Sequence, residues 1–217
     1  MNKKRKKTII WLSVSGIILV IIFFSALIIG RYTISIPSFF SALFNMPSAD
    51  SIDKSVIFSL RLPRTLVALL VGIALSLSGL VYQETFQNKL VSPDFLGVST
   101  GAGFGAAIAI IVGLTGLMIS VAAFVFGIIT MLLTVGIAKI FRNNSPTILL
   151  LSGIIISGLM SAGISFVEFT ADTDKQLGEI VYWLLGTFSK ATMRDVWILM
   201  PIVTVCSLFL FIIRWRI

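Results

Sequence analysis

Residues 61–102 read RLPRTLVALLVGIALSLSGLVYQETFQNKLVSPDFLGVSTGA. The stretch contains two arginines, Arg61 and Arg64, then an uncharged apolar segment at 65–82, a polar connection, and a second apolar segment rich in glycine. About 20 helical residues cross a hydrocarbon core of roughly 30 Å. The pattern therefore predicts two membrane-crossing helices joined by a polar turn, with the arginines at one membrane surface.

The composition of the whole chain supports the same class. Of its 217 residues, 57% are hydrophobic and 12% are charged, so a water-soluble domain of this size would expose far too much apolar surface. Only helices and closed barrels satisfy their backbone groups in lipid, and the long apolar runs favour an all-α protein. The chain has no histidine, and its single cysteine is Cys206. These two facts argue against an imidazole metal site, a Cys–His catalytic pair and an internal disulfide, so we expect no catalytic residues, metal or cofactor.

Charge-poor runs predict six spans within a single membrane domain that covers residues 1–217. The predicted spans are 8–30, 65–82, 96–117, 118–138, 147–167 and 196–213. Residues 96–138, which contain the third and fourth spans, include no charged residue and are too long for one crossing. We therefore expect a tight turn near Gly113 to Gly116.

The distribution of charge predicts the orientation of these spans. With the N-terminus in the cytoplasm, the inner segments carry ten basic residues against two acids, whereas the outer segments carry seven of each. An excess of lysine and arginine on the cytoplasmic side is the rule for such proteins. The basic residues are dispersed between apolar runs, so membrane lipid rather than nucleic acid is the expected partner of this chain.

Small residues recur every four positions in two of the predicted spans. They are Gly97, Gly101, Gly105 and Ala109 in the third span, and Gly153 and Ser157 in the fifth. In lipid, helices associate through close contact at small side chains, which favours helix packing at these positions. The alternative is that these residues line a translocation path.

Several motifs occur together in an order that resembles a known family. They are Arg61-Leu-Pro-Arg64, Gly72, Gly79, Gln83, Asn88-x-Leu90, Pro93, Leu96-Gly97-x-x-x-Gly101-Ala102 and the aromatic loop 182–188. This order resembles the permease subunits of ABC importers for iron siderophores, haem and vitamin B12, the FecCD type. The resemblance implies a multi-pass protein of the bacterial cytoplasmic (inner) membrane. It also implies a second permease subunit, cytoplasmic ATPase subunits and an extracellular or periplasmic substrate-binding protein as partners.

The sequence has no Walker nucleotide-binding pattern, so we expect ATP hydrolysis to belong to the ATPase partner and this chain not to be an enzyme. The resemblance implies that the chain carries a siderophore, haem or cobalamin across the membrane, without specifying which.

The resemblance also assigns roles to two groups of residues. Arg61 and Arg64 match the arginines that dock the binding protein, and we expect Pro63 to start the second span with both guanidinium groups facing water. Anchoring at the membrane surface is the alternative role for these arginines. Asn88, Leu90, Ser145 and Thr147 match the cytoplasmic gate of the family, and an ordinary turn is the alternative for that segment. Two departures from the family are Lys89, where proline is common, and Pro146, which interrupts the second gate element.

Full-length members of the family have about ten spans of the length that a bilayer requires. The chain therefore resembles the N-terminal part of a permease, and we expect a C-terminal truncation. The alternative function is a truncated, non-transporting membrane protein that serves as an anchor or interaction fragment.

The charge distribution yields a test of topology. With Cys206 replaced by serine, cysteines introduced at Ser48 and Thr173 should react with a membrane-impermeant thiol reagent in intact cells, because both positions lie in predicted outer segments. A cysteine at Asn144 should react only after the membrane is opened. Labelling of a cysteine at position 144 in intact cells would contradict the predicted orientation.

Overall fold

The computed structural model describes residues 3–44, 46, 50–141 and 146–214, and every regular element in these ranges is helical. The α-helices are α1 (Lys3–Ile28), α2 (Ile36–Leu43), α3 (Ser51–Ser55), α4 (Leu62–Thr85), α5 (Val98–Ile111), α6 (Leu117–Ile140), α7 (Pro146–Thr170), α8 (Gln176–Leu185) and α9 (Met193–Ile213). A π-helical segment, Val56–Arg61, joins α3 to α4, and a 3₁₀ turn, Pro93–Leu96, precedes α5. The predicted all-α class is confirmed.

Five helical stretches in the described residues are long and apolar enough to cross a membrane. They are Lys6–Ile28, Ser51–Thr85, Leu117–Ile140, Pro146–Thr170 and Met193–Ile213. The predicted span 96–117 is shorter than expected, because Leu96 belongs to the 3₁₀ turn and α5 has only 14 residues. At 1.5 Å per residue α5 is about 21 Å long, less than the roughly 30 Å of the hydrocarbon core. The structure therefore supports a polytopic membrane protein and gives five full-length spans where the sequence predicts six.

The second span begins well before Pro63, so the expectation that Pro63 starts this helix was wrong. The helical stretch is continuous from Ser51 to Thr85, and Pro63 is buried within it. A proline inside an α-helix lacks an N–H and clashes with the carbonyl four residues earlier. Here the amide of Leu62 bonds to the carbonyl of Ile57, five residues back. This wider π-turn directly before the proline makes room for its ring, so the helix continues.

The chain divides into two compact units, and the first comprises the residues up to Ala74 together with Phe188–Ile212. Its core contains Leu27, Ile34, Phe39, Ala42 and Ile57. Helix α2 begins where the Ser35 hydroxyl accepts a hydrogen bond from the Ser38 amide at 3.2 Å, and it buries Phe39 and Ala42 while Phe40 stays exposed. Helix α2 is therefore amphipathic.

The second unit, Leu75–Thr187 with residues 213–217, is organised around α5. Helix α5 packs against α6, α7 and α8, and the core between them contains Ala106, Ala107, Ala109, Ile110, Ile119, Ala123, Val167, Ala171 and Ile180. The turn from α5 to α6 lies at residues 112–116, where the sequence predicts it. Gly113 and Gly116 have φ of 83° and 57°, a backbone conformation that glycine adopts without strain.

Glycines on α5 permit a very close approach of α6. A Cβ atom on Gly101 would overlap the Thr130 hydroxyl oxygen, and a Cβ on Gly105 would lie 2.5 Å from Phe126 Cβ and 2.7 Å from the Ala122 carbonyl oxygen. Ala109 on the same stripe is also buried. The small residues of α5 thus lie at a helix–helix contact within this unit.

Replacing Gly105 by leucine should force α5 and α6 apart and lower the free energy of unfolding by about 1–3 kcal/mol or more, as overpacking does in dense interiors. Gly136→Leu on α6 is the matched control, since nothing lies within 4 Å of a Cβ at that position. The measurement is the thermal unfolding of each purified variant in detergent. Equal melting temperatures for the two variants would contradict this account of the contact.

Candidate functional site

Arg61 caps the C-terminal end of α1. Its Nη1 donates hydrogen bonds to the carbonyls of Leu27 at 2.9 Å and Ile28 at 2.5 Å, and its Nη2 donates to the carbonyl of Tyr32. The last carbonyls of a helix have no partner within the helix, and the helix dipole makes that end negative. A guanidinium with several donors satisfies both requirements, so Arg61 fastens the end of the first span to the start of the second.

Two neighbours support the position of this guanidinium. A Cβ atom on Gly30 would lie 2.7 Å from Arg61 Nη2 and 3.0 Å from Cζ, so a side chain there would displace the guanidinium from the cap. The side chain of Tyr32 hydrogen-bonds to Asp53, and this bond, together with burial and the nearby charge of Asp53, raises the pKa of the Tyr32 phenol. Asp53 itself is only 7% exposed. The segment after α1 is therefore held at both its backbone and its side chain.

The expectation that both arginines face water was wrong for Arg61, because both its terminal nitrogens bond to carbonyls of the same chain. Arg64 lies one helical turn later and is half-buried. Its Nε is buried and has no hydrogen-bond partner in the described part of the chain. The two arginines of the motif thus have different environments, and Arg64 is the one with an unsatisfied donor.

The segment after α4 forms a tight loop that presents one leucine. Gln87 has φ of 49°, and the Asn88 side-chain oxygen accepts a hydrogen bond from the Leu90 amide at 2.9 Å. The backbone N–H of Asn88 donates to the Gln83 carbonyl at 3.1 Å. Leu90 is 84% exposed, whereas its neighbour Val91 is 2% exposed. Asn88 therefore shapes the loop, Val91 anchors it, and Leu90 projects from it.

The loop and the beginning of α7 share one apolar cluster. Its buried members are Phe86, Val91 and Leu96, and Leu149 and Leu150 of α7 pack against them. The structure thus brings the first predicted gate segment next to the first turns of α7, just after Thr147.

The second gate segment is described only in part. Thr147 lies exposed in the first turn of α7, and Ser145 lies outside the described residues. Pro146 is the first residue of α7, where a missing N–H costs nothing, so it begins this helix.

The 3₁₀ turn behind the loop is held by α6. The Thr134 hydroxyl donates to the Leu96 carbonyl at 3.1 Å, and both groups are buried. Sequence reasoning missed Thr134. The available signal was a pair of hydroxyl residues four positions apart, Thr130 and Thr134, in an otherwise apolar helix, because polar groups in such helices need a partner.

The same turn also touches the backbone of α7. A Cβ on Gly153 would overlap the Phe95 carbonyl oxygen and lie 2.9 Å from its carbon and 3.1 Å from Leu96 Cα. Gly97, with φ of 73°, faces Ser157, whose hydroxyl donates to the Gly153 carbonyl at 2.7 Å. The predicted stripes of the third and fifth spans therefore meet at this point.

We compared the chain with known proteins. Residues 18–217 match the FecCD transport family. The chain is 38% identical over 205 residues to the molybdate import system permease protein MolB of Haemophilus influenzae, covering 92% of this chain and 60% of that protein. It is 30% identical over 206 residues to the vitamin B12 import system permease protein BtuC of Citrobacter koseri, covering 94% and 59%. A probable iron chelatin transport system permease protein of Helicobacter pylori is 38% identical over 162 residues, 75% of this chain and 48% of that protein.

Solved structures include a similar fold. The chain of a metal-chelate type ABC transporter in an inward-facing conformation superposes with a TM-score of 0.78 at 35% identity, covering 93% of this chain and 61% of that one. This chain spans about 60% of the length of the first two relatives and of the structural neighbour. Three findings agree: the match over residues 18–217, the relatives of 30% identity or more, and the shared fold. The chain therefore belongs to the FecCD transport family of ABC permeases.

Proposed function

We propose that this chain forms part of the membrane pathway of a binding-protein-dependent ABC importer. The observation that carries the proposal is the family match over nearly the whole chain, together with relatives that are import permeases. In this function the chain lies in the bacterial cytoplasmic membrane with its N-terminus inside. It pairs with a second permease subunit, receives cargo from a binding protein on the outer side, and is driven by cytoplasmic ATPase subunits.

If both termini are cytoplasmic, the chain must cross the membrane an even number of times. Helix α5 would then be the sixth span, in addition to the five long ones. Helix α5 is short for this role, but seven of its 14 residues are buried within its own unit. Non-helical backbone is tolerated at membrane depth where protein covers it. The 3₁₀ turn Pro93–Leu96 and the turn at 112–116 would supply the remaining length.

We propose that the cargo of this importer is a metal-containing compound. Relatives are named for molybdate, vitamin B12 and an iron chelate, and the structural neighbour is of the metal-chelate type. We favour a ferric siderophore or a related iron chelate, haem or cobalamin, as the motifs imply. The 38% identity to a molybdate permease makes a metal oxyanion the second candidate.

On the outer side, Arg64 would be the docking residue of the arginine pair. A guanidinium makes strong, bidentate hydrogen bonds to carboxylates. Arg64 is half-buried and takes no part in the helix cap that Arg61 forms. Arg61 would act indirectly, by fastening α1 beside the docking surface.

On the inner side, Leu90 would close the passage together with Asn88, Ser145 and Thr147. Leu90, at the tip of this loop, is 84% exposed and is left uncovered by the residues that the structure describes. A second subunit that meets it would bury its apolar surface and exclude water. Alternating access then requires a change in the populations of inward- and outward-open states, driven by ATP at the partner.

The proposed transport has a direct test. A bacterial strain without other permeases of this family, given the permease that contains this sequence with its ATPase and binding protein, should accumulate one radiolabelled compound among a ferric siderophore, haem, cobalamin and molybdate. Uptake should stop when the ATPase is inactivated, because the permease itself has no nucleotide site. Absence of uptake for all four compounds would contradict the proposed cargo class.

The two arginines should respond differently to charge reversal. Arg64→Glu should weaken binding-protein affinity by about tenfold or more while the melting temperature stays unchanged, because like charges then face each other. Arg61→Glu should instead lower the melting temperature, since three carbonyls lose their donor. Arg194→Glu serves as an exposed control on the predicted outer side. Full affinity in Arg64→Glu would return this residue to the anchoring role.

A further inference from the structure

The 3₁₀ turn Pro93–Leu96 is held from two sides, although the loop just before it is largely exposed. From α6, the Thr134 hydroxyl reaches the Leu96 carbonyl. From α7, the backbone of Gly153 lies against the Phe95 carbonyl so closely that no side chain fits between them. Both contacts involve main-chain carbonyls of the turn. A change of side-chain rotamer in the turn therefore cannot relieve either contact.

The same contacts connect the loop that carries Asn88 and Leu90 to the first turns of α7, where Thr147 lies. Phe86 and Val91 of the loop pack with Leu149 and Leu150, which lie in the first turns of α7 after Thr147. Behind them, Gly97 sits against Ser157 two turns further along α7. The loop therefore contacts α7 at its start and again near Gly153, a distance of more than one helical turn.

We infer that Thr134 and Gly153 are positioning residues of the gate, which clamp the loop at 86–97 to α6 and α7 so that the loop and α7 move as one body. This inference rests on the proposed function. Dense packing makes such bodies switch between discrete arrangements instead of deforming gradually.

The clamp can be tested in the purified chain without cargo or ATPase. In a Cys206→Ser background, spin labels at Leu90 and Leu159 report the distance from the loop to α7, since both positions are exposed. Gly153→Ala should shift and broaden this distance distribution, because a Cβ there must displace the Phe95 carbonyl. Gly158→Ala on the same helix is the matched control, as nothing lies within 4 Å of its Cβ. A second pair, Leu132 on α6 and Leu159, should stay unchanged in both variants.

Thr134 supplies an independent test if Gly153→Ala does not fold. Thr134→Val keeps the side-chain shape but removes the donor, so amide exchange in residues 94–97 should accelerate by about fivefold, the effect of one buried hydrogen bond. Thr134→Ser keeps the donor and should exchange like the unmodified chain. A role in general stability would instead accelerate exchange equally in α5 and α6.

The outcomes separate this inference from the proposed function. Unchanged Leu90–Leu159 distances in a folded Gly153→Ala variant, or equal exchange in Thr134→Val and Thr134→Ser, would overturn the clamp whether or not the permease transports. An altered distance in Gly153→Ala but not Gly158→Ala would support it. Absence of transport in the unmodified permease would count against the proposed function and leave the distances as the test of the clamp.

Discussion

The close approach of α5 to its neighbours is the constraint on which the rest of the second unit depends. In lipid, burying one apolar side chain against another gains little, because the hydrocarbon tails are equally apolar. Stability must then come from dispersion contacts between backbones, which small residues permit. Gly101 and Gly105 allow α6 to approach α5, and Gly153 allows the turn before α5 to touch α7. The positions of α6, α7 and the loop at 86–92 all depend on these three missing side chains.

Polar groups complete what the glycines permit. A carbonyl that lacks a partner in a low-dielectric interior is costly, so the exposed ends of helices and turns need donors. Thr134 supplies one for Leu96, and Arg61 supplies several for the end of α1. The charged side chain of Arg61 thus links the end of α1 to the helical stretch that leads into α4. Its neighbour Arg64, one turn along the same helix, keeps an unsatisfied nitrogen.

The loop at 86–92 combines a fixed base with an exposed tip. Val91 and the 3₁₀ turn are buried, and the Asn88 side chain bonds the loop to itself, while Leu90 extends outwards. In an importer of the proposed kind, such a loop would transmit the movement of a whole helix to a single apolar side chain. The stiffness of its base would then set how far the tip moves.

The sequence by itself determined the class of protein, its family and the approximate location of the long helices. Hydropathy and charge are local properties, so α6, α7, α9 and the turn at Gly113 to Gly116 were predictable from short windows. The small-residue stripes were visible too, since four-residue spacing places them on one helix face. The short length of α5 was not predictable, because the 3₁₀ turn that takes Leu96 is set by contacts with α6 and α7.

Only the tertiary structure decided what the polar side chains do. The partner of Arg61 is the end of a helix 34 residues earlier, and the partner of Thr134 is a carbonyl 38 residues earlier. No local pattern indicates which distant carbonyl lacks a donor. The path of the chain through Pro63 was likewise decided by a π-turn, a feature that hydropathy does not detect. Residue types and spacing therefore predicted the helices and the motifs, whereas the hydrogen bonding of backbone groups across the fold distinguished the environments of Arg61 and Arg64.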